Sequence, residues 1–330
     1  MKKIWVYAED TADGLHKVGL ELLTKARELA AEYEDAGEKT EVAAVLLTNS
    51  VQDKIETLTM YGAEKIYFAE NEAFGIYCHT IFEPVISELV KKEAPDILLI
   101  GATATGSELA PSIALTLKTG VAAHCVDMRI NEDGILAADV PAFGGKVIGE
   151  ILIPNHRPQM ASTKAGIFVA EKISGEAVSQ TILIDTSVLS KANNRLKPIK
   201  IETTKSTSKP LEEAEIVIAG GYGLGEPENW ELVKELAEKL GGAAGATRPC
   251  IDEGWGEGEH IMIGTSGKSV RPKVYVGFGI SGATHHLCGM KDSGVIISVN
   301  KDENAPIFEV SDYCVKNDAG KILKALLERL

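Results

Sequence analysis

The sequence predicts an α/β protein of two domains, and three observations carry the prediction. From Ile4 to Leu117 apolar runs alternate with helical stretches, the order that builds a mostly parallel sheet covered on both faces. From Val121 to Asp185 the pattern changes to a succession of short extended stretches, which completes that sheet with antiparallel strands. After the polar segment LKPIKIETTKSTSKP a second α/β unit begins. That segment reads as a connection, so the domains are placed at 1–191 and 210–330 with a linker over 192–209. A chain of 330 residues is long enough for each domain to have its own core.

Ile4–Ala8 reads as the first strand, Gly19–Tyr33 as a long helix and Val42–Leu47 as the second strand. Glu56–Tyr61 is helical, Lys65–Ala69 extended, and Phe74–Glu93 a helix. Ile97–Ile100, after Pro95 and Asp96, is a wholly apolar strand. Gly106–Leu117 is helical, although Pro111 falls where a helix interior loses a donor. The extended stretches of the middle region are Met128–Ile130, Ile135–Asp139, Gly149–Ile153, Ile167–Val169 and Gln180–Ile184.

In the second unit Glu215–Ala219 is a strand, Gly220–Gly225 a glycine turn and Asn229–Leu240 a helix. Residues 246–268, ATRPCIDEGWGEGEHIMIGTSGK, read as a loop. Val274–Val276 is a short apolar strand, followed by Gly277, Gly279 and Gly282 at G-x-G-x-x-G spacing. Ser281 suits the N-cap of a helix running to Met290, and Gly294–Val299 returns as a buried strand ending at Asn300. The DYCV segment and a helix over Ala319–Arg329 close the chain. Glycines let backbone come close to a bulky ligand, and a helix N-terminus favours an anion such as a diphosphate. Such loops also join strand to helix with nothing bound.

Composition narrows the function. A net charge of −14 argues against nucleic acid or an anionic membrane surface as partner. No apolar run approaches the roughly 18 residues of a membrane span. The start, MKKIWVYAED, passes from two lysines into a strand, unlike a secretory or transit signal, so a cytoplasmic protein is expected. Five scattered cysteines without a C-x-x-C pair point to reduced thiols, and no metal site is expected.

The run GISGATHHLCGMKDS, continued by SVNKDENAPIFEVSDYCV, closely resembles the C-terminal FAD domain of the electron-transfer flavoprotein α subunit. ATRPCIDEGW, SGKSVRPKVY and, in the first domain, PAFGGKVIGEILIPNHRPQMASTKAG are similar to further stretches of that family. The resemblance spans nearly the whole chain. It implies an adenine-nucleotide-hydrolase-like first domain that binds no nucleotide and serves as the platform for a β subunit. It implies a doubly wound second domain that holds FAD, with AMP or a second FAD in the β subunit. The assembly would take electrons from an acyl-CoA dehydrogenase, another flavin dehydrogenase or NADH and hand them on singly. The flavin would carry the redox step while the protein tunes it.

The resemblance also implies roles residue by residue. Arg248 corresponds to an arginine lying against the flavin ring, where its permanent charge favours reduced flavin, and Thr247 to a hydroxyl neighbour. Ser266, within Gly264, Thr265 and Ser266, aligns with the hydroxyl near flavin N5; Thr265 is the alternative if the register shifts by one. Gly279, Ser281, Gly282, Ala283 and His286 fall on the cofactor turn, with His286 directed at the N1/O2 edge and its protonation holding an anionic ring. Asn300 and Asp318 align with contacts to the adenosine end; as bare residues they read equally well as a turn and a helix cap.

Three departures stand out. His285 and Met262 replace glutamines of the family, and Tyr222 replaces a frequent arginine near the pyrophosphate. The segment from Arg248 to Gly264 is also a residue longer than usual. Two other readings remain open. One is an NAD-dependent Rossmann oxidoreductase with Asp302 as the ribose-binding acid; the other is a structural relative without cofactor. Ser266 leans towards a bifurcating system.

Overall fold

The computed structural model describes residues 1–142, 147–175, 177–190, 196, 198, 210–256 and 258–330. Apart from Leu196 and Pro198, the linker expected over 192–209 lies outside these residues, as do residues 143–146 of the PAFGGK stretch. The chain forms two compact units, one from Met1–Ala142 with Val147–Glu202 and one from Thr203–Leu330.

The first unit runs β1 (Lys2–Ala8), α1 (Lys17–Asp35), β2 (Thr40–Thr48), α2 (Lys54–Met60), β3 (Lys65–Glu70), α3 (His79–Glu93), β4 (Ile97–Gly101) and α4 (Ala104–Leu117). It continues with β5 (Val121–Ala122), β6 (Asp127–Ile130), β7 (Leu136–Ala142), β8 (Val147–Leu152), β9 (Gln159–Thr163) and β10 (Gln180–Leu183). Seven strands form one sheet in the order β10-β3-β2-β1-β4-β9-β5, with every pairing parallel. Its central strands β1, β2 and β4 are largely apolar without alternation because both faces are covered. Ile4, Val6 and Ala8 of β1 pack with Leu22 and Leu29 of α1 on one side. Trp5 and Tyr7 pack with Phe82 and Val85 of α3 on the other.

Three expectations are corrected here. The antiparallel strands do not complete the main sheet; β6, β7 and β8 form their own, ordered β8-β7-β6. Ile167–Val169 forms no strand. The long helix expected from Phe74 begins at His79, after a short turn at Glu72–Phe74. The strand the sequence hides is β9, inserted between β4 and β5. Its residues, QMAST, look like a loop but are fully buried. Gln159 Oε1 accepts from Leu136 N at 2.8 Å and the Thr163 hydroxyl donates to Cys125 O at 2.7 Å, while Gln159 Nε2 is buried without a hydrogen bond among the described residues.

In this sheet the strand order reverses between β1 and β4, the place where a doubly wound fold opens a crevice. A carboxylate already stands there. The hydroxyl of Thr103, which caps α4 by accepting from Gly106 N at 2.9 Å, donates to Glu9 at 2.5 Å.

The second unit comprises β11 (Ile216–Gly220), α5 (Glu228–Lys239), β12 (Ala243–Ala246), α6 (Arg248–Asp252), β13 (Val274–Phe278), α7 (Thr284–Leu287), β14 (Val295–Asn300), β15 (Tyr313–Lys316) and α8 (Ala319–Leu327). The five strands are parallel in the order β12-β11-β13-β14-β15. Trp230, Val233 and Leu236 of α5 and Leu323 of α8 share one core with Val217, Tyr275, Phe278 and Val299 of the sheet. Strand β12 lies at the beginning of what reads as a loop. Its AAGA composition gives no strong apolar signal, and Ile263, Leu211 and helix α5 cover it.

Candidate functional site

Numbered within the second unit, the strand order is 2-1-3-4-5, so the topology switches between β11 and β13. Ligands of such sheets bind outside the carboxyl ends of the strands at the switch. All thirteen residues singled out from the sequence lie on this edge or on turns packed against it. Thr247 and Arg248 follow β12, Gly279 to Ala283 follow β13, His285 and His286 form the next turn, Asn300 ends β14 and Asp318 lies just beyond β15.

The glycines of the switch serve chain packing. Gly221 N donates to Phe278 O and Gly223 N to Gly279 O, both at 2.9 Å. A Cβ on Gly279 would lie 2.4 Å from the carbonyl carbon of Gly223. With φ of +66° and +88°, Gly279 and Gly282 also need the left-handed region. The G-x-G-x-x-G spacing thus records two loops touching, whatever else passes over them. The helix that follows is shorter than expected. It is a single turn, Thr284–Leu287, with Ala283 rather than Ser281 at its N-cap. Beyond it the chain is pressed onto another backbone: a Cβ on Gly289 would lie 2.6 Å from Gly264 N, and Gly289 O accepts from Val270 N.

A ladder of backbone bonds gathers the first half of the site. Thr247 N donates to Gly220 O, Ile263 N to Ala246 O, Gly264 N to Lys268 O and Thr265 N to His285 O, all at 2.9–3.0 Å. Thr265 Oγ1 also meets His285 Nδ1 at 3.1 Å. Thr265, Ser266 and His285 are exposed, and Thr247 is buried beside Cys250. Arg248 is 70% exposed and pairs loosely with Asp252, Nε to Oδ2 3.5 Å.

His286 is surrounded differently from the exposed His285. It is buried, with Nδ1 3.1 Å from Ile263 O and Nε2 2.8 Å from the Tyr275 hydroxyl. Burial pushes its pKa down to about 4 and the Tyr275 phenol far up, so the phenol donates to a neutral ring. Both ring nitrogens are thus engaged within the fold.

The second half gathers around Ser281. Ile307 N donates to Ser281 O at 3.1 Å, Asn300 Nδ2 to Ile280 O at 2.8 Å, and Asn317 N to Asn300 O at 3.1 Å. Asp318 caps α8, accepting from Lys321 N at 2.8 Å, and pairs with Lys301 at 2.7 Å. The Lys301 contact and that N–H hold its carboxyl below the usual range. Asn300 and Asp318 therefore do the work of turn and cap. Asp318→Ala should destabilise the chain by about 1 kcal/mol in urea at neutral pH. That difference should be full above the ordinary Asp range and vanish as the pH falls through the lowered value. Ser281 and Ala283 remain exposed on the rim.

Of the departures, Met262 is buried, its carbonyl accepting from Lys268 N at 2.7 Å. Tyr222 is 57% exposed and stacks on Trp255, ring centroids 5.3 Å apart and planes 15° apart. Sequence reasoning missed this pair; the signal was an aromatic in each of two glycine-rich loops. The rim therefore offers a cation at Arg248, hydroxyls at Thr265, Ser266 and Ser281, an imidazole at His285 and a stacked aromatic surface. That donor set fits a large nucleotide with flat rings and an anionic diphosphate.

Comparison with known proteins agrees. The family model described as the electron transfer flavoprotein domain matches residues 4–187, and that of the electron transfer flavoprotein FAD-binding domain matches residues 210–291. Over 329 residues, covering 100% of this chain and 98% of the relative, the sequence is 37% identical to electron transfer flavoprotein subunit alpha of Thermoanaerobacterium thermosaccharolyticum. It is 38% identical to the subunit of the same name from Clostridium acetobutylicum, covering 100% and 97% of the two chains. It is 32% identical to the acryloyl-CoA reductase electron transfer subunit beta of Anaerotignum propionicum, covering 100% and 95%.

Proposed function

This chain belongs to the electron transfer flavoprotein α-subunit family, and from that premise we propose that it binds FAD on the carboxyl edge of its second sheet and passes electrons within a heterodimer. The observation that carries the reading is the exposed set of donors at the strand-order switch. When bound, the flavin supplies the one-electron chemistry. The chain's residues bind and orient it. Arg248 places a permanent positive charge on the rim, favouring anionic or reduced cofactor. The hydroxyls of Ser266 and Ser281 donate to it, and the Tyr222–Trp255 pair offers a flat surface. The first unit takes no nucleotide in this reading, because Glu9 at its own switch repels phosphate, and it carries the β subunit. The electrons come from a flavin dehydrogenase of the acyl-CoA type or from NADH.

The test is the visible spectrum of the chain co-expressed with its β subunit, with released cofactor quantified. One FAD per heterodimer plus AMP supports a one-electron carrier. Ser266 favours a second form of the reading, a bifurcating complex, for which two FAD and reduction by NADH are expected. A colourless complex overturns both. Arg248→Leu should weaken FAD binding by tenfold or more, roughly the loss of one charge-assisted contact, as followed by flavin fluorescence.

A further inference from the structure

We propose that Tyr222, backed by Trp255, is the platform on which the isoalloxazine ring of the flavin nucleotide stacks, and that this contact holds the ring independently of salt. The inference rests on the reading that this chain binds FAD. Tyr222 follows β11, where the strand order switches, in the run GGYG over Gly220–Gly223. The glycines of that run have no room for a side chain. A Cβ on Gly221 would lie 2.4 Å from Gly279 O, one on Gly223 2.6 Å from the same atom, and one on Gly220 2.8 Å from Leu224 Cδ1. Tyr222 is thus the side chain this turn presents. The backbone beneath it is fixed to the end of β13, because Gly221 N donates to Phe278 O and Gly223 N to Gly279 O.

Trp255 supplies the backing. It is half-buried, packs on the core of the second unit, and its backbone N–H donates to Cys250 O at 2.9 Å. Ring planes 15° apart with centroids 5.3 Å apart make an offset stack, and Tyr222 is still 57% exposed within it. A third flat ring extends such a stack at little ordering cost, since the turn and the backing ring are already in place. The neighbourhood selects the flavin ring over the adenine. Thr247 N donates to Gly220 O, which ties the turn carrying Arg248 to the turn carrying Tyr222. Asn300 and Asp318 lie on the other side of β13, at the end of β14 and beyond β15. The redox ring is the part of the nucleotide that gains from a permanent cation nearby, whereas adenine stays neutral. Stacking draws on dispersion and ring quadrupoles, which salt does not screen as it screens a pair of charges.

The experiment measures the dissociation constants of FAD and FMN for the full chain, in complex with its β subunit and freed of cofactor, at low and high salt. Tyr222→Leu should raise both constants about tenfold, the worth of one stacked ring, and by the same factor at either salt concentration. Tyr222→Phe, which keeps the ring, should retain the affinity of the unsubstituted protein. Saturating FAD should quench indole emission in the unsubstituted protein and much less in Trp255→Phe, because Trp5 and Trp230 are buried in the cores of the two units. Unchanged constants in Tyr222→Leu, or a loss for FAD with FMN unaffected, which would place the adenine on the stack, overturns the assignment while the FAD reading stands. Absence of FAD binding by the unsubstituted protein overturns the functional reading and this assignment with it.

Discussion

Acidification from pH 7 to pH 4 is expected to remove about 3 kcal/mol of stability from the second unit through one side chain, His286. Its folded pKa is lowered from 6.5 to about 4 by burial, while the Ile263 carbonyl opposes the shift weakly. A depressed pKa means that the unfolded chain takes up the proton first. The contribution is therefore complete above about pH 6.5 and is lost as the pH falls towards 4. At about 1.4 kcal/mol per unit the interval corresponds to roughly 3 kcal/mol. The measurement is hydrogen exchange of second-unit peptides, Tyr275 and Phe278 among them, in the full chain at pH 7 and pH 4.5. His286→Gln, which keeps polar groups but does not titrate, should show a much smaller acid loss. Equal losses in the two proteins would mean that other groups, carboxylates above all, control the acid limit.

Gly282→Ala is expected to cost about 3–5 kcal/mol, enough to unfold much of the second unit. Two penalties add. At φ of +88° an L side chain is strained by about 1–2 kcal/mol. The new Cβ would also lie 2.2 Å from Ile307 N and 2.6 Å from its Cα, backbone atoms that Ser281 O fixes by a hydrogen bond. Gly225→Ala is the comparison: φ is +82°, but nothing lies within 4 Å of the added carbon, so about 1–2 kcal/mol is expected. Urea midpoints of the two variants separate the clash from the strain. If Gly282→Ala is no worse than Gly225→Ala, the 279–283 and 305–308 loops are not in the contact described.

Much of this was legible in the chain itself. β1, β2, β4 and β14 announce themselves as apolar β-branched runs, and α1, α5 and α8 as long patterned stretches. β9 and β12 do not, because QMAST and AAGA become strands only where distant neighbours bond to the Gln159 side-chain carbonyl and the Thr163 hydroxyl or cover the small side chains. The helix after β13 was overestimated for the converse reason: the local sequence permits it, but Gly289 has to pass against Gly264. At the site, motif and resemblance pointed to thirteen positions, which the fold gathers along one sheet edge and the turns packed against it. Motif and resemblance could not tell a ligand contact from a structural bond at Asn300, Asp318 or His286, since residue type is the same for both.

By itself the sequence determined the α/β class, the two units, the family and the edge of the sheet where chemistry is to be sought, because periodicity and motif are properties of neighbours along the chain. Only the tertiary structure decided that the switch-point glycines face each other, that Tyr222 stacks on Trp255, and which of two consecutive histidines is buried. A one-residue step on a helical turn rotates a side chain by about 100°, and what it then meets depends on residues far away in sequence. For His286 those residues are Ile263 and Tyr275; for His285 they are Thr265 and open solvent.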